Sequence, residues 1–193
     1  MGHIILVTGG AKSGKSAFAE QLAQQHGKRL GYIATAMAGD VEMCERIRRH
    51  QERRDSRWHT LEESLHPSRL ITALNTSQKS QDSFDVLLLD CLTVLISNIL
   101  LDQPLDWDRP APEQICALEQ RVRQETEALA IAAKNFHGRV ILVANEVGFG
   151  IVPPSPLARF FRDCAGEASQ HLAAQANAVY LVVAGLPLCL KGE

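Results

Sequence analysis

Eight residues near the start, Gly9-Gly10-Ala11-Lys12-Ser13-Gly14-Lys15-Ser16, follow the spacing G-x-x-x-x-G-K-S. They constrain the fold more than any other segment. An apolar run, Ile4-Ile5-Leu6-Val7, stands directly before them and reads as a buried strand. A helical pattern opens at Lys15 and continues through Phe18, Leu22 and Ala23. Strand, glycine-rich turn and helix together are the context that makes this spacing a phosphate-binding loop. The glycines let the backbone fold tightly, so that its N–H groups converge on an anion. The helix N-terminus adds the positive end of its dipole. In such a loop Lys15 reaches the β- and γ-phosphates, and the Ser16 hydroxyl ligates Mg²⁺. A chance glycine-rich turn would have no reason to carry both flanking elements.

A loop of this kind sits at the edge of a parallel sheet, and the rest of the chain supplies one. Strand-length apolar runs occur at Ile4–Val7, Tyr32–Ala34, Val86–Leu89, Val140–Val143 and Val179–Val183. Helical patterns lie between them at Lys15–His26, Val41–Arg54, Leu92–Leu101, Glu113–Asn135 and Leu157–Gln175. This alternation predicts an α/β fold whose parallel sheet is covered on both faces, with right-handed crossovers. At 193 residues the chain reads as a single domain, 1–193. The polar stretch Thr76–Ser83 and the proline-rich stretch Gln103–Pro112 read as surface loops, since the alternation resumes after each.

Composition narrows the partners. A net charge of −2 gives no global attraction to nucleic acid or anionic membrane. The sparse aromatics are not interleaved with basic residues, so no base-stacking platform is expected. The longest apolar stretch, Val86 to Leu101, is broken by Asp90, Thr93, Ser97 and Asn98, and no membrane insertion is expected. Cys44, Cys91, Cys116, Cys164 and Cys189 are widely spaced with no C-x-x-C pair. That predicts free thiols in a reducing cytoplasm rather than disulfides or a zinc site. The N-terminus lacks the basic leader of a signal peptide.

Three further segments bear on chemistry. Phe84-Asp85-Val86-Leu87-Leu88-Leu89-Asp90 is an apolar strand ending in a carboxylate. Asp90 is expected beside the phosphate loop as the second Mg²⁺ ligand, although an Asp here also serves as a helix N-cap. Residues 46–57 hold six arginines within twelve positions. On a helix, Arg46, His50 and Arg54 share one stripe. Such a stripe suits a triphosphate tail, because arginine's planar fork matches phosphate. Neighbouring cations favour the neutral imidazole that a nucleophilic His50 requires. A solvated basic helix face with an incidental histidine has the same spacing. Finally, Asn145-Glu146-Val147-Gly148-Phe149-Gly150-Ile151-Val152-Pro153 follows a strand, at the edge where open α/β sheets bind ligands. It reads equally as an active-site loop or a structural turn.

Taken together, these residues resemble one family. The resemblance is carried by Leu6 to Ser16, Tyr32-Ile33-Ala34-Thr35, Arg46-Ile47-x-x-His50 and Trp58-x-Thr60-x-Glu62. It continues in the Asn145–Pro153 block and in Arg159-x-x-Arg162-Asp163-x-x-Gly166. The chain looks like a bifunctional adenosylcobinamide kinase / adenosylcobinamide-phosphate guanylyltransferase of cobalamin synthesis. The resemblance implies a P-loop NTPase-type (RecA-like) three-layer fold with a mostly parallel sheet flanked by helices. It implies phosphorylation of adenosylcobinamide by ATP or GTP. Attack of His50 on the α-phosphate of GTP would follow, and then transfer of GMP to cobinamide phosphate.

Some members carry a second histidine just before the acting one, where this chain has Arg49, so only His50 fits the role. The resemblance further implies nucleotide contacts from Gly9, Gly10, Ala11, Lys12, Ser13, Gly14, Lys15 and Ser16. Others come from Ala34, Thr35 and Ala36, from Gln51, Glu52, Arg53 and Arg54, and from Glu62 and Asp90. Ser16 and Asp90 would hold Mg²⁺, Lys15 and His50 would be catalytic, and the assembly would be a homotrimer. Two other functions compete. A GTP switch lacks support, since Asn145 is followed by Glu146 where Asn-Lys-x-Asp is needed. A monofunctional small-molecule kinase accounts for the loop and Asp90 but leaves the His50 stripe without purpose.

Overall fold

The computed structural model describes residues 2–37, 54–76 and 83–192. Seven strands form one sheet: β1 (His3–Gly9), β2 (Leu30–Ala34), β3 (Trp58–Glu62), β4 (Val86–Asp90), β5 (Arg139–Asn145), β6 (Ala178–Val183) and β7 (Leu186–Lys191). Five helices are described: α1 (Lys15–His26), α2 (Pro67–Thr76), α3 (Leu92–Leu101), α4 (Pro112–Asn135) and α5 (Pro156–Gln175). The strand order is β3-β2-β4-β5-β1-β6-β7. All pairs are parallel except β6–β7.

The central strands read as continuous apolar runs because both faces are covered. Successive side chains alternate between two layers. Ile5, Val7, Val86, Leu88, Ile141 and Val143 pack with Ala19 and Ala23 of α1. Ile4, Leu6, Leu87, Leu89, Val140 and Leu142 pack with α3, α4 and α5 through Leu95, Leu129 and Leu172. Leu88 lies at the centre of the α1 layer with no exposed surface. Truncating it leaves a cavity that rigid strands close poorly. Leu88→Ala is expected to cost about 2–5 kcal/mol, read as a lower urea midpoint.

The five expected strands form, each a residue or two longer at one or both ends, and α1 and α3 have the expected bounds. β3, α2 and β7 were not anticipated. β3 is an edge strand whose only partly buried side chains are Trp58 and Leu61, so little period-2 signal exists. β7 is exposed at every position and pairs only because a two-residue turn returns the chain onto β6. Ala184 and Gly185 both have positive φ, 51° and 81°, as the type I′ turn of a hairpin demands. Of the expected helix Val41–Arg54, residues 41–53 lie outside the described residues, and Arg54 is not helical. In the expected loop Thr76–Ser83, Thr76 closes α2 and residues 77–82 lie outside the described residues. Residues 102–111 contain no helix or strand, in agreement with the expected loop Gln103–Pro112, except that Pro112 begins α4.

Candidate active site

β1 ends at Gly9 and α1 begins at Lys15, with the expected loop between them. Gly14 caps α1 in the left-handed region, φ 97°. Inside the loop, Ser13 N–H donates to the Gly10 carbonyl at 3.2 Å. The Lys15 ammonium donates to the same carbonyl at 3.1 Å and is only 8% exposed. The Ser13 hydroxyl is buried and has no hydrogen-bond partner, an orphan that an oxygen-rich ligand would satisfy. The β6–β7 turn braces the loop from one side, with Gly185 N–H donating to the Ser13 carbonyl at 2.8 Å. A Cβ on Gly14 would lie 3.1 Å from the Gly185 Cα. Gly14→Ala is therefore expected to lose about 1–2 kcal/mol through its φ alone and to bind Mg·GTP more weakly. Thermal unfolding with and without nucleotide measures both.

The carboxyl edge of the sheet corrects one expectation. Asp90 is not on the strand beside the loop: β5 lies between β4 and β1. Asp90 is instead opposite Ala34 of β2, which is opposite Glu62 of β3. Glu62, Ala34 and Asp90 thus form one row across three neighbouring strands. From β3 to β1 is four strand spacings, about 19 Å, a span that an extended nucleoside triphosphate covers.

Sequence reasoning missed the contacts that organise this row. Tyr32 O–H donates to Asp90 Oδ2 at 3.1 Å. Burial first, and the Asp90 charge second, push the phenol far above its ordinary range, so it remains a donor. The Arg54 guanidinium lies over the Tyr32 ring, 3.5 Å from its centroid, a cation–π contact. Its Nη1 donates to the Thr60 hydroxyl at 3.3 Å. Arg54 therefore packs against β2 and β3, one side chain from Asp90. Arg57 engages Asp55 at 2.7 Å. His50, Gln51, Glu52 and Arg53 lie outside the described residues.

Thr35 is fully buried and serves the scaffold. Its hydroxyl accepts from Cys91 N–H at 2.8 Å and donates to the Cys91 carbonyl at 2.9 Å. Asn98 Nδ2 donates to the Thr35 and Ser64 carbonyls. These bonds fix where Ala34 and Ala36 stand. Burial, then the Asp90 charge, raise the Cys91 thiol above its ordinary value, against smaller lowering by hydrogen bonds with Thr93 and the Val94 backbone and by Lys15. Cys91 is thus a protonated scaffold thiol.

The Asn145–Pro153 segment divides into two roles. Asn145, opposite Gly9 in the β1–β5 register, turns its amide to the Thr93 hydroxyl at 3.0 Å. Glu146 N–H donates to the Gly9 carbonyl at 2.9 Å, tying the segment to the phosphate loop. Arg159 of α5 donates to the Pro153 and Pro154 carbonyls at 3.0 and 2.6 Å, pinning the far end.

Among the described residues, no group of three or more His, Cys, Asp or Glu could hold a metal. Ser16 in the first turn of α1 and Asp90 are hard oxygen donors of the type Mg²⁺ prefers, and that ion takes its remaining ligands from phosphate and water. They fit it on that basis. No helix among the described residues is long and apolar enough to cross a membrane.

Residues 5–190 match the family model described as cobinamide kinase / cobinamide phosphate guanyltransferase. The bifunctional adenosylcobalamin biosynthesis protein CobU of Escherichia coli (strain K12) is 44% identical over 189 residues, covering 97% of this chain and 99% of that protein. The bifunctional adenosylcobalamin biosynthesis protein CobP of Pseudomonas aeruginosa is 43% identical over 189 residues, covering 97% of each. Among solved structures, the RadB recombinase overlaps 93% of this chain and 73% of its own, with TM-score 0.46 and 17% identity. The KaiC-like protein PH0186 of Pyrococcus horikoshii OT3 overlaps 93% and 70%, with TM-score 0.45 and 11% identity.

Proposed function

The chain belongs to the cobinamide kinase / cobinamide phosphate guanyltransferase family, and on that premise we propose that it performs two transfers from one sheet edge. In the first, the side-chain hydroxyl of adenosylcobinamide attacks the γ-phosphorus of ATP or GTP, and the nucleoside diphosphate leaves. In the second, an imidazole nitrogen of His50 attacks the α-phosphorus of GTP and pyrophosphate leaves. An oxygen of cobinamide phosphate then displaces His50, giving adenosylcobinamide-GDP and restoring the imidazole. Splitting one displacement into two is the ordinary gain of covalent catalysis.

One observation carries this reading. The phosphate loop, with buried Lys15 and the orphaned Ser13 hydroxyl, stands at one end of a carboxyl edge whose other end presents Glu62, Ala34, Asp90 and Arg54. Lys15 and the loop N–H groups would hold the β- and γ-phosphates. Arg54, with Arg53 before it, would attract charge at the α-phosphate. Ala34, Ala36, Gln51, Glu52 and Glu62 would contact the nucleoside end. Ser16 and Asp90 would hold Mg²⁺, which when bound neutralises charge on the phosphate tail. The assignment of His50 rests on its Arg46-Ile47-x-x-His50 motif.

The test uses GTP labelled at the α- or the γ-phosphate. The native chain should retain α-label in acid-labile form, release pyrophosphate, and pass γ-label to adenosylcobinamide. Transfer of γ-label with no α-label on the protein would leave only a kinase. The free thiols Cys91, Cys116, Cys164 and Cys189 suit a cytoplasmic enzyme. The apolar row of Leu186, Leu188 and Leu190, each more than half exposed, is surface that a homotrimer would cover.

A further inference from the structure

Glu146 takes no part in either transfer as assigned above, yet it is held at the mouth of the phosphate loop. Among the described residues, Glu62, Glu63, Asp90 and Glu146 end or directly follow β3, β4 and β5 at the carboxyl edge. Of these, only Glu146 extends from a strand, β5, that pairs with β1. Its N–H is bound to the Gly9 carbonyl at 2.9 Å, and the next residue, Val147, packs against the core. The backbone is thus fixed on both sides of the carboxylate. Its Oε1 accepts from Gly148 N–H at 2.6 Å, which sets the orientation of the group. Beyond it, Phe149, Ile151 and Val152 are 85%, 96% and 60% exposed, a shelf of apolar side chains on a loop that Arg159 holds in place. Exposed apolar groups gathered on an anchored loop mark a contact surface.

We propose that Glu146 is the general base of the phosphorylation step. As the acceptor hydroxyl oxygen bonds to the γ-phosphorus, the carboxylate takes its proton. The bond from the γ-phosphorus to the bridging oxygen breaks, and the nucleoside diphosphate leaves with the electron pair. This rests on the kinase half of the proposed function. Asp90 is less suited, because it ends a strand two places from β1 and is assigned to Mg²⁺ above. A positioned carboxylate in this role contributes a factor of about 10²–10⁴.

Glu146→Gln separates this role from a structural one. Glutamine keeps a carbonyl oxygen for the Gly148 N–H, so the loop is preserved, but it cannot take a proton. The expected result is a fall of about 100-fold or more in kcat for adenosylcobinamide phosphorylation. KM for both substrates should stay near native, and α-label should be retained from GTP as before. Glu146→Asp should recover part of the lost rate. Native kcat in Glu146→Gln overturns the proposal. So does a parallel loss of nucleotide affinity and GMP retention, which would make Glu146 a loop or nucleotide anchor. If the native chain itself phosphorylates no acceptor, the kinase reading has failed, and the variant is not needed to show it.

Discussion

His50→Ala should carry no GMP after exposure to GTP, while phosphorylating adenosylcobinamide at close to the native rate. The expected drop in guanylyl transfer is about 10³-fold or more, because the variant removes the attacking atom and not merely its support. Phosphoryl transfer should survive because γ-transfer as proposed does not use His50, and the loop and Lys15 would hold the γ-phosphate. The measurement pairs acid lability of α-label on the protein with γ-label in the acceptor. A variant that still retains acid-labile GMP would remove His50 from the mechanism. The basic residues of the stripe would then be phosphate contacts only, and Arg54, stacked on Tyr32, shows how one of them reaches the edge.

The phosphate loop was legible in sequence because its demands are local. A strand, a glycine at the left-handed cap position and a lysine one residue later all lie within thirteen residues, His3 to Lys15, and α1 starts at Lys15 as read. The central strands were legible because burial on both faces leaves them uninterrupted by polar groups. β3 and β7 were not legible, since an edge strand needs pairing partners more than an apolar pattern, and those partners are distant in the chain. Asp90 was found as a strand-end carboxylate, but its distance from β1 was not, because strand order is a property of crossovers rather than of any one strand. The Tyr32–Asp90 and Thr35–Cys91 bonds join residues 58 and 56 positions apart, beyond any periodicity. The Asn145–Glu146 pair illustrates the remaining limit. The Asn145 amide serves structure through Thr93, and the active-site reading of the segment is what Glu146→Gln tests.

Lys15→Ala should depress both transfers, and the way it does so decides whether one nucleotide position serves them. The lysine is nearly buried and bonded to the Gly10 carbonyl of its own loop, so its ammonium is already poised where a β,γ-phosphate pair would enter. In phosphorylation it would neutralise charge on the transferring group, and a preorganised donor of that kind is worth about 10²–10³ in kcat. In guanylylation the same phosphates depart as pyrophosphate, so the same ammonium should favour the leaving group by a comparable factor. Lys15→Arg should not restore either rate, since a longer, planar side chain does not fit a site with 8% exposure. Labelled GTP reads both effects in one sample. Loss of phosphorylation with native GMP retention would place the guanylyl donor's tail outside the loop, so that the edge would hold two nucleotides in separate seats. Loss of both, with a thermal midpoint close to native, places one triphosphate along the whole edge, and the order of the two reactions is then set by which end of that triphosphate an attacking group can reach.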